Sequence, residues 1–412
     1  MLAGAASAVP AGPSGHHPLA QSAIAAPQAA RYDVRMRASW PLFLAAFLTD
    51  GSLYLAFAAL PFRAIEMGAG PGRLGLLPTL YAATYMATAA FAGHVSDRVS
   101  RLTLARGAGS LFFVGCLALA LAPNLLVLYA AVPLLGIALG FFWSPLQAEL
   151  SDRAAGGGLS SSVGVFNVSW SLGKGCGLVA GGLVTARFAP EQALLIAGVP
   201  VLVGSVALAL GGRASGGCPP PPAENESRAP ASVALLRLAW ITNAVAFGVG
   251  STMNVHAPKL LLAEGSGPSD FGMLVGAIFM VQTFTFAALF RHRPTVRTLR
   301  LSQVLGIVAL AAFAFAPSFE ARLVAAVPLG IALGLAYQAS IHASLDRPHG
   351  RGRAAGLHET ILGAGSSLLP MIGGFLAVTA HSLLAPFALG GVAFALAFIA
   401  SVIPMSRSKA PA

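Results

Sequence analysis

The sequence predicts an all-α integral membrane protein with twelve transmembrane helices in two pseudo-symmetric six-helix bundles. Three observations lead to that prediction: few charged residues, many long apolar segments, and a repeat between the two halves of the chain. Of the 412 residues, 56% are hydrophobic and 9% are charged, whereas an ordinary soluble domain has about 25% charged residues. So few charges cannot cover a surface that faces water, and most of the surface is therefore expected to face lipid.

Twelve segments are long and apolar enough to cross a bilayer, which takes about 20 residues per helix. They lie at residues 40–62, 74–94, 103–122, 125–149, 159–185, 191–212, 233–260, 269–290, 300–317, 321–345, 353–378 and 384–404.

Polar segments divide this pattern into domains. Residues 1–37, rich in Ala, Pro, Gly and Ser, are expected to be a disordered cytoplasmic tail. Residues 213–231 are Pro-rich and polar, which predicts a cytoplasmic linker. The two bundles are thus predicted at 38–212 and 232–405, with a second short cytoplasmic tail at 406–412.

The basic residues between the segments predict the orientation. If the N-terminus is cytoplasmic, the outer side holds only Arg63, Arg73, Arg187, Lys259 and Arg322. Apart from Lys174, which lies inside a segment, the other basic residues fall on the inner side. Cytoplasmic loops carry an excess of Lys and Arg, so both termini are expected in the cytoplasm and the protein in the inner membrane. This topology explains the net charge of +11, and no nucleic-acid partner is expected.

The two halves of the chain repeat. Residues 130–143 (AAVPLLGIALGFFW) match residues 325–337 (AAVPLGIALGLAY), which makes Trp143 and Tyr337 equivalent. Residues 70–77 (GPGRLGLL) likewise match residues 267–274 (GPSDFGML). Parallel repeats of this kind are typical of membrane transporters.

The connection between the second and third segments carries a recognisable motif. Residues 93–101 read GHVSDRVSR and resemble the signature loop G-x-x-x-D-R-x-G-R of the major facilitator superfamily. The matching residues are Gly93, Asp97, Arg98 and Arg101, with Ser100 in place of the second glycine. In that family the loop latches the cytoplasmic side in the outward-open state. The alternative is a basic turn that only sets the topology.

The fifth segment has a glycine pattern that is similar to the antiporter motif of the same family, G-(x8)-G-(x3)-G-P-(x2)-G-G. Its members are Gly164, Gly173, Gly177, Gly181 and Gly182, and Leu178 stands at the proline position. The equivalent residues of the eleventh segment are Gly365, Pro370, Gly373 and Gly374. Small residues at this spacing let helices approach closely, and packing alone explains most of the pattern. The resemblance further implies exchange of a solute against protons, although Val132 stands where many such exporters have an arginine.

Ionisable residues inside the segments indicate function, because each charge in a bilayer costs roughly 2.5–3.5 kcal/mol or more. Asp50, in the first segment, is predicted to bind a proton or a cationic solute; the alternative is a structural hydrogen bond to a neighbouring helix. Glu359, in the eleventh, is predicted to be a second proton carrier, unless it only reaches the cytoplasmic surface or neutralises Arg353. Lys174 can pair with either carboxylate or bind an anionic solute.

The resemblance implies a central cavity walled by the first, fourth, seventh and tenth segments. Together with Lys174, the candidate solute-binding residues are Tyr54, Trp143, Gln147, Asn243, Tyr337, Gln338 and His342. Aromatic residues from both halves would suit a ring-containing, amphipathic solute, although a single aromatic residue more often serves packing.

The sequence therefore predicts a secondary transporter that exports a small amphipathic solute by alternating access, coupled to protons or another ion. The alternatives are an uptake permease for a sugar or organic acid, and a receptor or assembly subunit without solute flux. No enzyme motif is present: Gly173, Lys174 and Gly175 lack the spacing and hydroxyl of an ATP-binding loop. No cofactor, metal site or disulfide is expected, and the protein is predicted to be a monomer in the lipid bilayer.

Overall fold

A computed structural model describes residues 18–96, 98–154, 159–211, 232–289, 293–345 and 351–402. All regular structure in these ranges is helical. The helices are α1 (Pro18–Glu66), α2 (Pro71–Leu74), α3 (Leu76–Ser96), α4 (Arg101–Ala120), α5 (Leu125–Ala154), α6 (Leu159–Arg187), α7 (Pro190–Gly211), α8 (Val233–Ala263), α9 (Pro268–Leu289), α10 (Val296–Ala314), α11 (Phe319–Leu345), α12 (Arg351–Thr379) and α13 (Ala385–Val402).

Twelve crossings result from these helices, as the sequence predicts. Eleven stretches are long and apolar enough to span a membrane, and α2 and α3 together form one of them, Pro71–Ser96. The twelfth crossing is α6, whose 29 residues include Lys174 and several glycines and serines that lower its mean hydropathy. It packs between α1 and α9, in the position of a spanning helix. The predicted fold class is confirmed.

The helix boundaries agree with the predicted segments to within a few residues, except at the start of α1. This helix begins at Pro18, and only its later part, Ser39–Glu66, is apolar enough to cross. Helical backbone thus extends into the predicted tail, where alanine, the strongest helix former, recurs. The predicted linker at 213–231 and the predicted tail at 406–412 lie outside the described residues.

Each half forms its own helical group, and the groups meet along two seams. In the first half α1 packs against α6 and α7, and α5 packs against α3 and α4. In the second half α12 packs against α8, while α11 packs against α9 and α10. One seam joins α6 to α9, and the other joins α12 to α2 and α3. The sequence repeat relates α6 to α12 and α9 to α2–α3, so the two seams are equivalent.

The glycines of α6 and α12 let helices touch backbone to backbone within each half. A Cβ atom added at Gly173 would overlap the carbonyl of Phe47 in α1, and one at Gly177 would overlap the carbonyl of Gly51. In the second half, Gly365 lies equally close to the carbonyl of Ala244 in α8. These contacts fix the helices on which the charged residues of the interior stand.

The remaining residues of the predicted glycine pattern have different neighbours. Gly181 packs against Leu55 and Ala58 of α1, and Gly373 packs against Pro386 of α13. Gly164 is half-buried near the start of α6. Three others, Gly182, Pro370 and Gly374, lie on the seams between the halves.

Candidate functional site: a charged cavity between the halves

A cavity of about 160 Å³ lies between the two halves. Its walls come from α1, α3, α5 and α6 of the first half and from α8, α9, α11 and α12 of the second. Most of the lining side chains are aromatic or aliphatic, but three are ionisable acids or bases: Asp50, Lys174 and Glu359. A mostly apolar cavity with a few converging polar groups is the usual form of a small-molecule site.

Asp50 and Lys174 form one pole of the cavity. Asp50 is 5% exposed and Lys174 is 4% exposed, and the two opposite charges attract each other across the α1–α6 contact. They are not joined by an ion pair within 4.0 Å. Among the described residues no hydrogen bond reaches the Asp50 carboxylate.

Aromatic rings from both halves surround the Lys174 ammonium. Its nitrogen lies 3.6 Å from the ring centre of Phe279, 4.6 Å from that of Tyr54 and 5.4 Å from that of Phe247. Tyr54 belongs to the first half, and the two phenylalanines belong to the second. The faces of such rings attract a cation, so the ammonium links the halves without satisfying its own N–H donors.

Glu359 and Tyr85 form a second pole, on α12 and α3. The Tyr85 hydroxyl donates to a carboxylate oxygen of Glu359 at 3.3 Å, and the Tyr81 ring stacks on that of Tyr85. Tyr81 and Tyr337 line the same cavity as Asp50 and Glu359. The cavity therefore combines two charged poles with aromatic walls.

Several of the closest backbone contacts between the halves lie on one side of the membrane. We call the side on which α7 ends and α8 begins the linker side, and the opposite side the far side. On the far side Lys259 donates to the carbonyl of Ala69 at 2.9 Å. A Cβ added at Gly182 would lie 2.6 Å from the Cα of Gly272, and one at Gly75 would lie 2.6 Å from the Pro370 carbonyl oxygen. These backbone approaches close the cavity on the far side.

The linker side lacks such a seal in the described part of the chain. Helices α5 and α11 wall the cavity from opposite halves but do not pack extensively against each other. Gln147, which lines the cavity from α5, is exposed. The cavity therefore opens toward the linker side.

The sequence pattern of the Major Facilitator Superfamily matches residues 42–347. The chain belongs to this family of membrane transporters. A search of curated proteins found no significant match.

Solved transporters share the fold of this superfamily member. One is a bacterial homolog of the human lysosomal transporter Spinster in an inward-facing, unoccupied conformation. It is 15% identical, with a TM-score of 0.71, over 89% of this chain and 97% of that chain. A POT family transporter in complex with 5-aminolevulinic acid is 12% identical, with a TM-score of 0.72, over 88% of this chain and 95% of that chain. At these identities the likeness establishes the fold alone.

In this superfamily transporter, both predicted proton carriers, Asp50 and Glu359, line the cavity. So do most of the predicted solute-binding residues: Tyr54, Trp143, Gln147, Lys174 and Tyr337. These residues were singled out individually in the sequence, and the structure brings them together from distant parts of the chain.

Three predicted solute-binding residues do not line the cavity: Asn243, Gln338 and His342. Gln338 and His342 follow Tyr337 by one and five residues, so their side chains point about 100° and 140° away from it around α11. Gln338 instead donates to the carbonyl of Leu289 at 3.5 Å. Asn243 is fully buried in α8, and nothing in the structure explains why it lies there.

Several lining residues were missed in the sequence because they stand on α3, α6 and α9, outside the four predicted walls. They include Tyr81, Tyr85, Trp170, Phe279 and Gln282. The spacing of four residues from Tyr81 to Tyr85, and from Trp170 to Lys174, puts each pair on one helix face. That signal could have extended the predicted cavity to α3 and α6.

The predicted cytoplasmic latch is only partly visible. Asp97 lies outside the described residues, Gly93 is part of the α3 backbone, and Arg98 is exposed. Arg101, at the start of α4, forms an ion pair with Asp152 near the end of α5. This contact ties two helices of the first half together on the linker side, and the latch itself stays a prediction.

Proposed function

We propose that this protein is a proton-coupled secondary transporter that exports a small amphipathic solute by alternating access. The observation that supports the proposal most strongly is the meeting of Asp50, Lys174 and Glu359 in one cavity between the halves. Charges inside a membrane are costly and persist where they serve a solute or ion pathway. Here they stand at the interface that must rearrange for access to alternate.

Alternating access requires the far side to open while the linker side closes. The far-side contacts are close approaches of glycine and carbonyl groups, one hydrogen bond from Lys259 and the packing of Phe62 in α1 against Phe271 in α9. All of these have to separate when the far side opens. Closure on the linker side would bring α5 toward α11 and so Trp143 toward Tyr337. The equivalence of these two residues in the repeat supports such a symmetric movement.

Proton coupling is assigned to the two carboxylates. In alternating access, water reaches the cavity from one side at a time, so each carboxylate can take up a proton on one side and release it on the other. The glycine pattern of α6 supports exchange of a proton for the solute, which is export when protons flow inward.

An uptake permease is the second candidate, and a specific observation favours it. Gln147, Asn254 and Gln282 line the cavity with amide groups, which can bind hydroxyl-bearing or acidic solutes. In that case proton and solute would bind together and move in the same direction.

The test is to measure proton movement that depends on a solute. Purified protein in proteoliposomes with a trapped pH-sensitive dye is exposed to a panel of ring-containing amphipathic solutes. At least one solute is expected to drive proton flux. Glu359→Gln should lower that flux by about tenfold or more, because glutamine cannot take up and release a proton; tenfold corresponds to about 1.4 kcal/mol.

Glu320→Gln is the matched control, because Glu320 is exposed at the start of α11 and its replacement should leave the flux unchanged. Proton flow opposite to the solute supports export by exchange, and flow with the solute supports uptake. Solute transport without any proton movement would contradict the coupling.

A further inference from the structure

We propose that the transported solute is dipolar, with an acidic group that binds Lys174 and an amine that binds Glu359. The inference rests on the proposed transport function and names the chemical class of its substrate. It is carried by two charged poles that the protein itself leaves incompletely satisfied.

The first pole offers an ammonium with unused hydrogen-bond donors. Lys174 has three N–H donors, yet in the described parts of the chain no oxygen accepts a hydrogen bond from them. The rings of Phe279 and Tyr54 hold the ammonium in place, while Asp50 attracts it from beyond ion-pair distance. A carboxylate on the solute would supply charge-assisted hydrogen bonds that Asp50 does not make.

The second pole offers a carboxylate without a cation. An ionised carboxylate accepts hydrogen bonds at about four lone-pair positions, and Glu359 receives one, from Tyr85. No Lys or Arg in the described ranges lies within 4.0 Å of it. The Tyr85 ring that carries this hydroxyl stacks on the Tyr81 ring, and both rings line the cavity, where ring faces can attract an ammonium group.

The space between the poles fits an apolar or aromatic body. Tyr81, Tyr337 and Trp170 line the same cavity as the two poles, and the Trp170 ring packs on Tyr337 with centroids 5.5 Å apart. Gln282 and Asn254 each keep a buried amide oxygen without a partner, so the body is expected to carry N–H or O–H groups as well.

A singly charged solute would satisfy one pole and leave the other unused. A solute with both charges satisfies both poles and carries no net charge into the cavity. The arrangement therefore favours zwitterions over cations, anions and neutral molecules of the same shape.

The experiment is a thermal-shift titration of the detergent-purified full chain with a panel of aromatic amino acids. The spacer between amine and acid runs from short to long, and each compound is accompanied by its methyl ester and its N-acetyl derivative. At least one zwitterion should bind about tenfold or more tightly than both derivatives, because one charge-assisted contact is worth about a factor of ten.

Variants separate the two poles. Lys174→Met should remove the advantage of the acid over the ester, and Glu359→Gln should remove the advantage of the amine over its acetylated form. Asp50→Asn removes the carboxylate that competes with the solute's acidic group for Lys174. Binding of the N-acetyl derivative, which keeps that acidic group, should therefore become tighter. This variant keeps the inference testable if Lys174→Met fails to fold. Glu320→Gln should change none of these preferences.

The inference is overturned if no zwitterion stabilises the protein, or if an ester or N-acetyl derivative binds as well as its parent at every spacer length. Suppose instead that a singly charged compound binds and drives proton flux, and that Glu359→Gln lowers this flux. The transport proposal would then stand, and only the proposal of a dipolar solute would be wrong. A zwitterion that binds as expected but is never transported would defeat the transport proposal instead.

Discussion

Asp50→Asn is expected to lower proton-driven solute accumulation by about 100-fold or more, which corresponds to about 2.7 kcal/mol. Asparagine has nearly the size of aspartate but cannot bind and release a proton, so the variant loses the exchangeable site on α1. It also loses the negative charge that attracts Lys174. The measurement is the initial rate of accumulation in proteoliposomes under an imposed pH gradient, over a range of pH.

Two controls give this result its meaning. Glu66→Gln, on the same helix and exposed, should accumulate solute like the wild-type protein. Counterflow of labelled solute without a pH gradient should persist in Asp50→Asn, because that reaction needs binding and movement but no net proton transfer. If Asp50→Asn accumulates solute as fast as wild type at every pH, proton coupling through Asp50 is wrong.

Arg322→Ala is expected to cause a large loss of stability although Arg322 lies outside the cavity. Arg322 is 7% exposed, and its two terminal nitrogens donate to the two carboxylate oxygens of Glu264. Its guanidinium also lies 5.2 Å from the ring centre of Phe313. Removing one partner of a buried, bidentate ion pair lowers the free energy of unfolding by roughly 2–4 kcal/mol. The lower part of that range applies where the remaining acid can reach water.

Thermal unfolding in detergent measures this effect, and a fall of several degrees in Tm is expected. Arg187→Ala is the control, since Arg187 is an exposed arginine near the far-side end of α6. Equal melting temperatures for Arg322→Ala and Arg187→Ala would show that the Glu264 pair ties α8 to α11 only weakly.

The fold could be predicted from the sequence because its causes are local. A stretch of apolar residues identifies a membrane helix wherever it lies in the chain, and the match of residues 130–143 to 325–337 identifies the two halves. Asp50, Lys174 and Glu359 could also be singled out, because a charge within an apolar segment is expensive. Even α6, whose mean hydropathy is low, was included among the twelve predicted apolar segments, at residues 159–185.

The assembly of the site could not be predicted, because it depends on how helices rotate and cross. Nothing local distinguishes Tyr337, which faces the cavity, from Gln338, which is turned away. Whether Lys174 approaches Asp50 or Glu359 depends on the backbone contact of Gly173 with Phe47. Closure of the far side likewise follows from approaches such as Gly182 to Gly272, between helices far apart in sequence.

A water-accessible cavity between the halves is expected to open to one side of the membrane at a time.

A cysteine introduced at Ser366, which lines the cavity from α12, can report which side is open. The variant Ser366→Cys is made in a chain whose cysteines at 116, 176 and 218 are replaced by serine. Val392→Cys, on the exposed face of α13, is a control that should stay unlabelled by a charged maleimide. The measurement is the labelling rate of Ser366→Cys from each side of oriented vesicles. We expect rapid labelling from the linker side. Labelling from the far side is expected only after a transported solute is added. Equal labelling from both sides at once, or none from either side, would contradict the claim.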